Sequence, residues 1–328
     1  MSKPRVCVGI DVGKEELVVA AEGQSVQRFG TTTGEITRLC RWLRQVAAER
    51  PVHVGMEATG VYSTRVALPM CRVRGMSISV INPAQIRAHG RALLVRTKTD
   101  AVDAQVILDF VVKHTPPAWV PPSAARRHLY ALVTQADAIK TELRQWRNRL
   151  HAQTYTPDLP REVARSTAAM LKLLQEQLTR IENAIEELCR HDAAMAEDMT
   201  IATSIKGIGV TSAAQILAHG GDALTLRTRR QLDAHAGLAP AQRQSGTSVR
   251  GKSHLAKQGN ANLRRALYMP TLVAVHHNPY FQRHYQQMLE RGKAKKVALV
   301  ACMRKMLNLL RAMLIKRQTF NPNYQPLT

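Results

Sequence analysis

A chain of 328 residues, 45% of them hydrophobic, can build two or three units with cores of their own; its 4% of aromatics excludes base-stacking platforms as a dominant theme. The 47 Lys and Arg against 24 Asp and Glu leave a net charge of +23, which calls for a polyanionic partner, nucleic acid before an anionic membrane surface. Cys7, Cys40, Cys71, Cys189 and Cys302 form no C-x-x-C pair, so neither a zinc site nor a disulfide framework is expected, and the thiols suit a reducing cytoplasm.

Residues 6–10 form an apolar run closing at Asp11, 17–21 a second run and 26–29 a weaker third, with short polar or Gly-containing connections; this predicts a three-strand meander. Ile36, Leu39, Leu43 and Val46 fall at helical spacing over 34–49. Val52 to Met56 is a fourth strand, followed by Glu57. Residues 61–73 are helical, and Ser77 to Ile81 is a fifth strand ended by Asn82-Pro83. Val102, Val106, Ile107 and Phe110 mark one face of a helix over 99–113. A meander followed by alternating helix and strand implies a mixed five-stranded sheet covered by helices.

The Pro-rich stretch 115–122 predicts a domain boundary, giving 1–115, 123–199 and 200–328 as the expected domains. Leu129, Val133, Ala136, Leu143, Trp146 and Leu150 mark a long helix. Leu171, Leu174, Leu178, Ile181, Ile185 and Leu188 then step by three and four in a heptad seam, which suits an antiparallel hairpin and an intermolecular coiled coil equally. Residues 205–217 have the look of a helix-hairpin-helix element, whose second helix start can hold a phosphate; a plain helix connection explains the glycines as well. Residues 237–260, rich in Gly, Ser and basic residues, should be an exposed loop, between helical stretches that include 260–275 and 294–315. Residues 241–328 hold 16 basic side chains and one acidic, against 15 and 10 in residues 1–110, so the last quarter supplies most of the positive field. No apolar run is long enough to span a bilayer, and the first residues hold no apolar signal core.

Four acids stand out. Asp11 ends the first strand and Glu57 follows the fourth; Asp100 and Asp103, three apart, share one face at the start of a helix. Brought together, four carboxylates repel unless divalent cations lie among them. Hard oxygen donors suit Mg²⁺ or Mn²⁺, and two such ions roughly 3.5–4 Å apart clamp the attacking and leaving oxygens of an in-line phosphoryl displacement. Asp100 alone reads equally as a helix-start acid, and Asp103 as the partner of a lysine. Asp11 and Glu57, each following an apolar strand, are harder to explain as surface charge.

Gly9-Ile10-Asp11-Val12-Gly13-Lys14, Met56-Glu57-Ala58-Thr59-Gly60, Val80-Ile81-Asn82-Pro83 and Lys98-Thr99-Asp100-Ala101-Val102-Asp103-Ala104 resemble the DEDD transposases of insertion sequence family one-ten. So do Ala236-Gly237-Leu238-Ala239-Pro240, Ser245-Gly246-Thr247-Ser248-Val249-Arg250-Gly251 and Leu263-Arg264-Arg265-Ala266-Leu267-Tyr268-Met269-Pro270. The resemblance runs in order along nearly the whole chain. It implies an α/β ribonuclease H-like (RuvC-like) N-terminal domain, a helical coiled-coil middle and a mainly α C-terminal transposase domain. It further implies recombination of donor and target DNA guided by a structured bridge RNA, by dimers assembling into tetramers, in the bacterial cytoplasm at the nucleoid. The family's metal-binding acids carry over onto Asp11, Glu57, Asp100 and Asp103, and its serine nucleophile onto Ser245.

Without that resemblance, Ser245, Ser248 and Ser253 are nearly equal candidates, and each reads also as a loop hydroxyl touching phosphate. A serine ester of phosphorus stores the bond energy, so strands can be rejoined without ATP. Arg250, Lys252, Lys257, Arg264 and Arg265 are expected to hold backbone phosphates in a salt-sensitive, largely sequence-neutral way, and any one of them reads equally as part of a solvated basic face. Three rival readings remain. An actin-like or sugar-kinase ATPase shares the Gly9–Lys14 loop but needs a second Asp-x-Gly loop, which is missing, and leaves the basic C-terminus unexplained. A junction-resolving nuclease using metal and water explains the acids but no required serine. A non-catalytic nucleic-acid-binding protein makes the acids structural.

Overall fold

The first apolar run is small or aliphatic at every position because it becomes the centre of a sheet. A computed structural model describes residues 5–241, 244–245, 249–250, 254–255 and 258–321, which divide into two units, Met1–Pro121 and Pro122–Thr328. In the first, β1 (Val6–Val12), β2 (Glu16–Ala21) and β3 (Gln27–Gly30) form the expected meander. Then come α1 (Thr33–Ala47), β4 (Val52–Glu57), α2 (Val61–Met70), β5 (Met76–Ile81), α3 (Pro83–Ala92) and α4 (Asp100–His114). The strand order is β3-β2-β1-β4-β5, with β1 antiparallel to β2 and parallel to β4. This is the ribonuclease H-like sheet that the resemblance implied.

Side chains alternate across the strands. Val6, Val8, Ile10 and Val12 enter the core shared with Leu39 and Leu43 of α1 and Val66 and Met70 of α2. The opposite face carries Cys7, Gly9 and Asp11 and is covered by α4, whose Ile107 and Val111 are buried there. The contact is backbone to backbone: a Cβ added at Gly9 would lie 2.3 Å from Ala104 O and 2.3 Å from Leu108 N. Gly55 of β4 makes the same allowance for Val111, whose Cγ2 would stand 2.2 Å from an added Cβ.

Two helices differ from expectation. The helix expected over 61–73 ends at Met70, and α3 follows the fifth strand directly, opened by Asn82, whose side chain accepts from Ala84 N, and by Pro83. The Pro-rich stretch is no free tether. His53 Nε2 lies 2.8 Å from Ser79 Oγ, Ser79 Oγ donates to Pro117 O (2.8 Å), and Trp119 N donates to Ile78 O (2.6 Å). Residues 116–119 are thereby held along the sheet.

The second unit is helical: α5 (Ala124–Gln153), α6 (Arg161–His191), α7 (Ala193–Thr203), α8 (Val210–Gly220), α9 (Ala223–Leu226) and α10 (Arg229–His235), then, after the strand pairs described below, α11 (Ala261–His277), α12 (Pro279–Glu290) and α13 (Lys295–Lys316). The heptad seam of α6 buries Leu174, Leu178 and Ile185 in a core with Val133, Ala136, Ile139 and Leu143 of α5. The antiparallel hairpin therefore uses the seam within one chain. That core continues without a break into α7, α8, α11 and α13. Asp198, buried in α7, receives Arg126 (2.9 Å) and Arg317 (2.5 Å), which ties the start of α5 to the end of α13. No helix is long and apolar enough to cross a membrane among the described residues.

The stretch 237–260 is not simply a loop. Its described residues form β6 (Pro240–Ala241), β7 (Gln244–Ser245), β8 (Val249–Arg250) and β9 (His254–Leu255). Pairs β6–β9 and β7–β8 are both antiparallel. These strands are too short to show alternation in sequence.

The Gly9 contact has a measurable counterpart. Gly9→Ala is expected to destabilise the chain by about 1–3 kcal/mol or more, because backbone cannot yield as a side chain can. Gly34, in the first turn of α1, has nothing within 4 Å of an added Cβ. Gly34→Ala should stabilise by about 0.5 kcal/mol through the unfolded chain. Urea unfolding of both variants checks the contrast.

Candidate active site

Ile10 stands opposite Met56 in the parallel pairing of β1 and β4, so one residue further Asp11 and Glu57 lie side by side on adjacent strands. Both leave the sheet on the face opposite Ile10 and Met56, the face that α4 covers. Gly9 and Gly55, each two residues earlier, let α4 settle there, so its first turn is carried to the same end of the sheet. Thr99 caps that turn, its side chain accepting from Val102 N (3.4 Å), and the turn holds exposed Asp100 and half-buried Asp103. The positive end of the helix favours acids here.

The four acids feel one another. Burial, then the charges of Asp103, Asp100 and Glu57, push the Asp11 carboxyl from the ordinary aspartate range up to about 6, against the pull of the Val12 backbone N–H. No described cation offsets them by an ion pair, since no such pair reaches any of the four. Among the described residues no three His, Cys, Asp or Glu side chains already converge as a metal cage. The donor set nonetheless suits a hard divalent cation: four carboxylates, no nitrogen or sulfur, and a half-buried Asp11 whose ionisation the other three oppose. Beside them, Thr59 Oγ1, two residues after Glu57, is buried without a hydrogen-bond partner.

Ser245 belongs to the other unit. It pairs with Val249, the first residue of β8, so it is the last residue of β7 to be paired. The two strand pairs nest in sequence, 244–245 with 249–250 inside 240–241 with 254–255, in the order of one ribbon.

The root of this ribbon is held by polar contacts. Asn260 N donates to His235 O (2.6 Å), Asn260 Nδ2 to His219 O (2.9 Å), and Asn260 Oδ1 caps α11 by accepting from Asn262 N and Leu263 N. Gly259 takes φ +126° and packs where an added Cβ would lie 2.6 Å from Gly237 N. Burial, with the charge of Arg227, holds His235 down at about 4, so it is neutral at physiological pH.

Beneath, Asp137 accepts from Gln215 Nε2 (2.8 Å) and Arg265 (3.1 Å), with His219 Nε2 at 3.3 Å. Burial pushes Asp137 up, but the His219 and Gln215 hydrogen bonds and the Arg265 charge outweigh it and hold the carboxyl below its usual range. Two of the five basic residues thus have partners inside the protein. Arg264 donates to Ala236 O (3.0 Å), and Arg265 pairs with Asp137 while its side chain stays 63% exposed. Arg250 is described only through its backbone pairing with Gln244. Lys252 and Lys257, like Ser248 and Ser253, lie outside the described residues.

Sequence reasoning missed Asn260, Asp137, His219 and Thr59. Only Asn260 left a signal: an Asn directly before an apolar-periodic stretch is a helix start.

Residues 8–154 match a family model described as a transposase, that of the DEDD enzymes of IS110, and residues 199–286 match that of the transposase IS116/IS110/IS902 family. The first stretch contains all four acids and the second contains Ser245. The chain is 32% identical to the pilin gene-inverting protein of Moraxella bovis over 276 residues, 82% of each chain. It is 31% identical to that of Moraxella lacunata over the same length. The insertion element IS110 43.6 kDa protein of Streptomyces coelicolor is 32% identical over 152 residues, 46% of this chain and 36% of that one.

The raised Asp11 pKa has a sign that can be checked. The fold favours the neutral carboxyl, so its contribution is full below pH 4 and is lost as pH rises through about 6. Because Asp11 is only about half buried, solvent screening reduces the loss at pH 7 to on the order of 1 kcal/mol. Asp11→Asn should therefore raise the melting temperature of chelator-treated protein at pH 7 and flatten its pH dependence between about 4 and 6. Adding Mg²⁺ should raise the melting temperature of the wild type and leave the variant nearly unmoved.

Proposed function

Because the chain belongs to the IS116/IS110/IS902 transposase family, we propose that it is a DNA recombinase that cuts and rejoins strands through Ser245, with Asp11, Glu57, Asp100 and Asp103 as its metal-holding acids. The observation that carries the acidic half is the mutual pressure of four carboxylates at one end of a sheet, in a chain whose net charge is +23. A divalent cation such as Mg²⁺ or Mn²⁺, two per site, held by these four supplies neutralising charge at the phosphate and Lewis acidity toward the entering and leaving oxygens.

In the reading we favour, Ser245 Oγ attacks a backbone phosphorus. The new P–Oγ bond forms as a P–O bond to deoxyribose breaks, and the serine proton is passed on to the departing oxygen. The reverse attack, by the hydroxyl of a different strand, frees the serine and restores a phosphodiester. One ester replaces another at each step, so neither ATP nor net hydrolysis is needed. The Moraxella relatives are described as inverting a gene. Inversion leaves as many phosphodiester bonds as it found, which suits ester exchange better than hydrolysis. The ribbon suits it as well: its root is fixed by Asn260 and Gly259, and Ser245 is the last paired residue of its strand.

Site choice is assigned to a structured bridge RNA that pairs with donor and target DNA, on the strength of the family resemblance and the cationic last quarter. Arg250, Lys252, Lys257, Arg264 and Arg265 serve as phosphate contacts, Arg265 through the face that Asp137 leaves open. Dimers assembling into tetramers bring a serine ribbon to each set of acids.

The second reading, a metal-dependent nuclease that activates water, is favoured by the acids because they need no partner serine. One denaturing gel separates the two. Incubated with Mg²⁺, guide RNA and labelled DNA, the wild type should give a covalent protein–DNA band that Ser245→Ala removes while nucleic-acid binding persists. Cut DNA with no such band would establish the water mechanism. Asp11→Asn should abolish both band and cleavage, by a factor of at least about 100 for a lost metal ligand.

A further inference from the structure

The end of the sheet remote from the acids carries the opposite charge. A cleft of about 320 Å³ opens there, lined by Arg44 from the last turn of α1, Arg50 before β4 and Arg74 before β5, together with Glu49, Gly75 and Met76. Three arginines, from the end of α1, the turn into β4 and the turn into β5, thus line one space. None has a carboxylate partner among the described residues, although Glu49 lines the same cleft. Arg50 uses Nε to donate to Ala47 O (3.0 Å), which leaves its two terminal nitrogens without a described protein acceptor.

The backbone beneath is itself unusual. Ala48 and Glu49 are consecutive left-handed residues (φ 44° and 68°), and neither is glycine. Each costs about 1 kcal/mol relative to the right-handed region, a strain that tends to persist where the surroundings use the resulting geometry. Here it turns the chain sharply from α1 into β4 and sets Arg50 at the lip.

Among the described residues the lining contains arginine and no lysine, and no aromatic ring. Guanidinium forks match phosphate oxygens two at a time, and with nothing to stack on, bases are not read. The geometry points to a binding site for the phosphate backbone of duplex DNA at the Arg44–Arg50–Arg74 cleft, distinct from the carboxylate end. β4 runs from this cleft at Val52 to Glu57, a span of roughly 17 Å at the rise of a strand. The cleft therefore cannot touch the phosphate being cut; it holds a part of the duplex that does not react. This assignment rests on the reading of the chain as a DNA-acting enzyme.

The test is binding of the full chain to a short fluorescent duplex in chelator, so that cleavage plays no part. It compares the wild type with the double variant Arg44→Gln, Arg74→Gln, both exposed positions. Each phosphate contact adds about 0.9 to the slope of log affinity against log salt. The variant should lose roughly two from that slope and about tenfold in affinity at moderate salt, equally for unrelated sequences. Its thermal unfolding should match the wild type. The conservative double variant Arg44→Lys, Arg74→Lys should keep the slope, since a point charge still releases counterions, while binding more weakly. An unchanged slope and affinity in the Gln variant would overturn the cleft assignment alone. Failure of the wild type to bind duplex at all would sink the DNA-acting reading and the cleft with it. Tight binding of inorganic triphosphate, lost in the variant while duplex binding stays intact, would overturn the backbone assignment in favour of a free polyphosphate.

Discussion

The first unit depends on how closely α4 approaches the sheet. At Gly9 the helix backbone occupies the volume that any other residue would need for its Cβ, and at Gly55 Val111 does the same. Both glycines lie two residues before an acid, on the same face as that acid. The packing that builds this core is therefore also what aims Asp100 and Asp103 at Asp11 and Glu57. A helix standing farther off, on ordinary side chains, would carry its first turn away from the strand ends. The stability of the core and the geometry of the acids cannot be separated here. The cost falls on Asp11, which burial and three like charges together oppose. Function at this end of the sheet is set against stability.

The second unit uses another kind of bond for the segment that bears Ser245. Apolar packing runs through α5, α6, α7, α8, α11 and α13, but the ribbon bearing Ser245 is joined to it by polar groups. Asn260 alone makes five hydrogen bonds, donating to two backbone carbonyls and accepting from three helix N–H groups. Such bonds are directional, so they fix where the ribbon leaves the helices. Asp137 sits below as the acceptor for Gln215, with His219 and Arg265 around it, drawing α5, α8 and α11 together.

How much of this could be read from the residues depends on how each element is buried. β1 and β4 were visible because central strands are nearly continuous apolar runs, β5 at the sheet edge because its apolar residues alternate with serines, and α1 because Ile36, Leu39 and Leu43 all turn inward. α3 and α12 were not, because each buries a single side chain, Ile86 and Phe281 respectively, and one residue has no period. Their caps were the signal: Asn82-Pro83 and Asn278-Pro279 each open a helix. The two-residue strands around Ser245 lie below the length at which alternation means anything. The acids at positions 11, 57, 100 and 103 were legible as strand-end and helix-start carboxylates. Asp137, His219 and Asn260 were not, since a buried polar residue is recognised only by its partners. The same limit applied to Arg264 and Arg265. As members of a basic run they read as free charge, yet each has an acceptor inside the protein.

The distribution of charge along one strand ties these observations into a single constraint. β4 begins beside three arginines that lack a carboxylate partner among the described residues and ends at Glu57, among acids that lack a described cation. A polyanion is drawn to the first end and repelled from the second. Cations gathered among the carboxylates would lift that repulsion, since no described lysine or arginine is paired with them. On the readings proposed above, holding the backbone and reacting with it are separate events in this fold. The first needs only arginine and is weakened by salt. The second requires a phosphate to enter a site whose own charges exclude it until they are neutralised. On the proposed reading of these acids as the cutting centre, that centre would be silent on bound DNA by default, held so by Coulomb repulsion with no moving lid required.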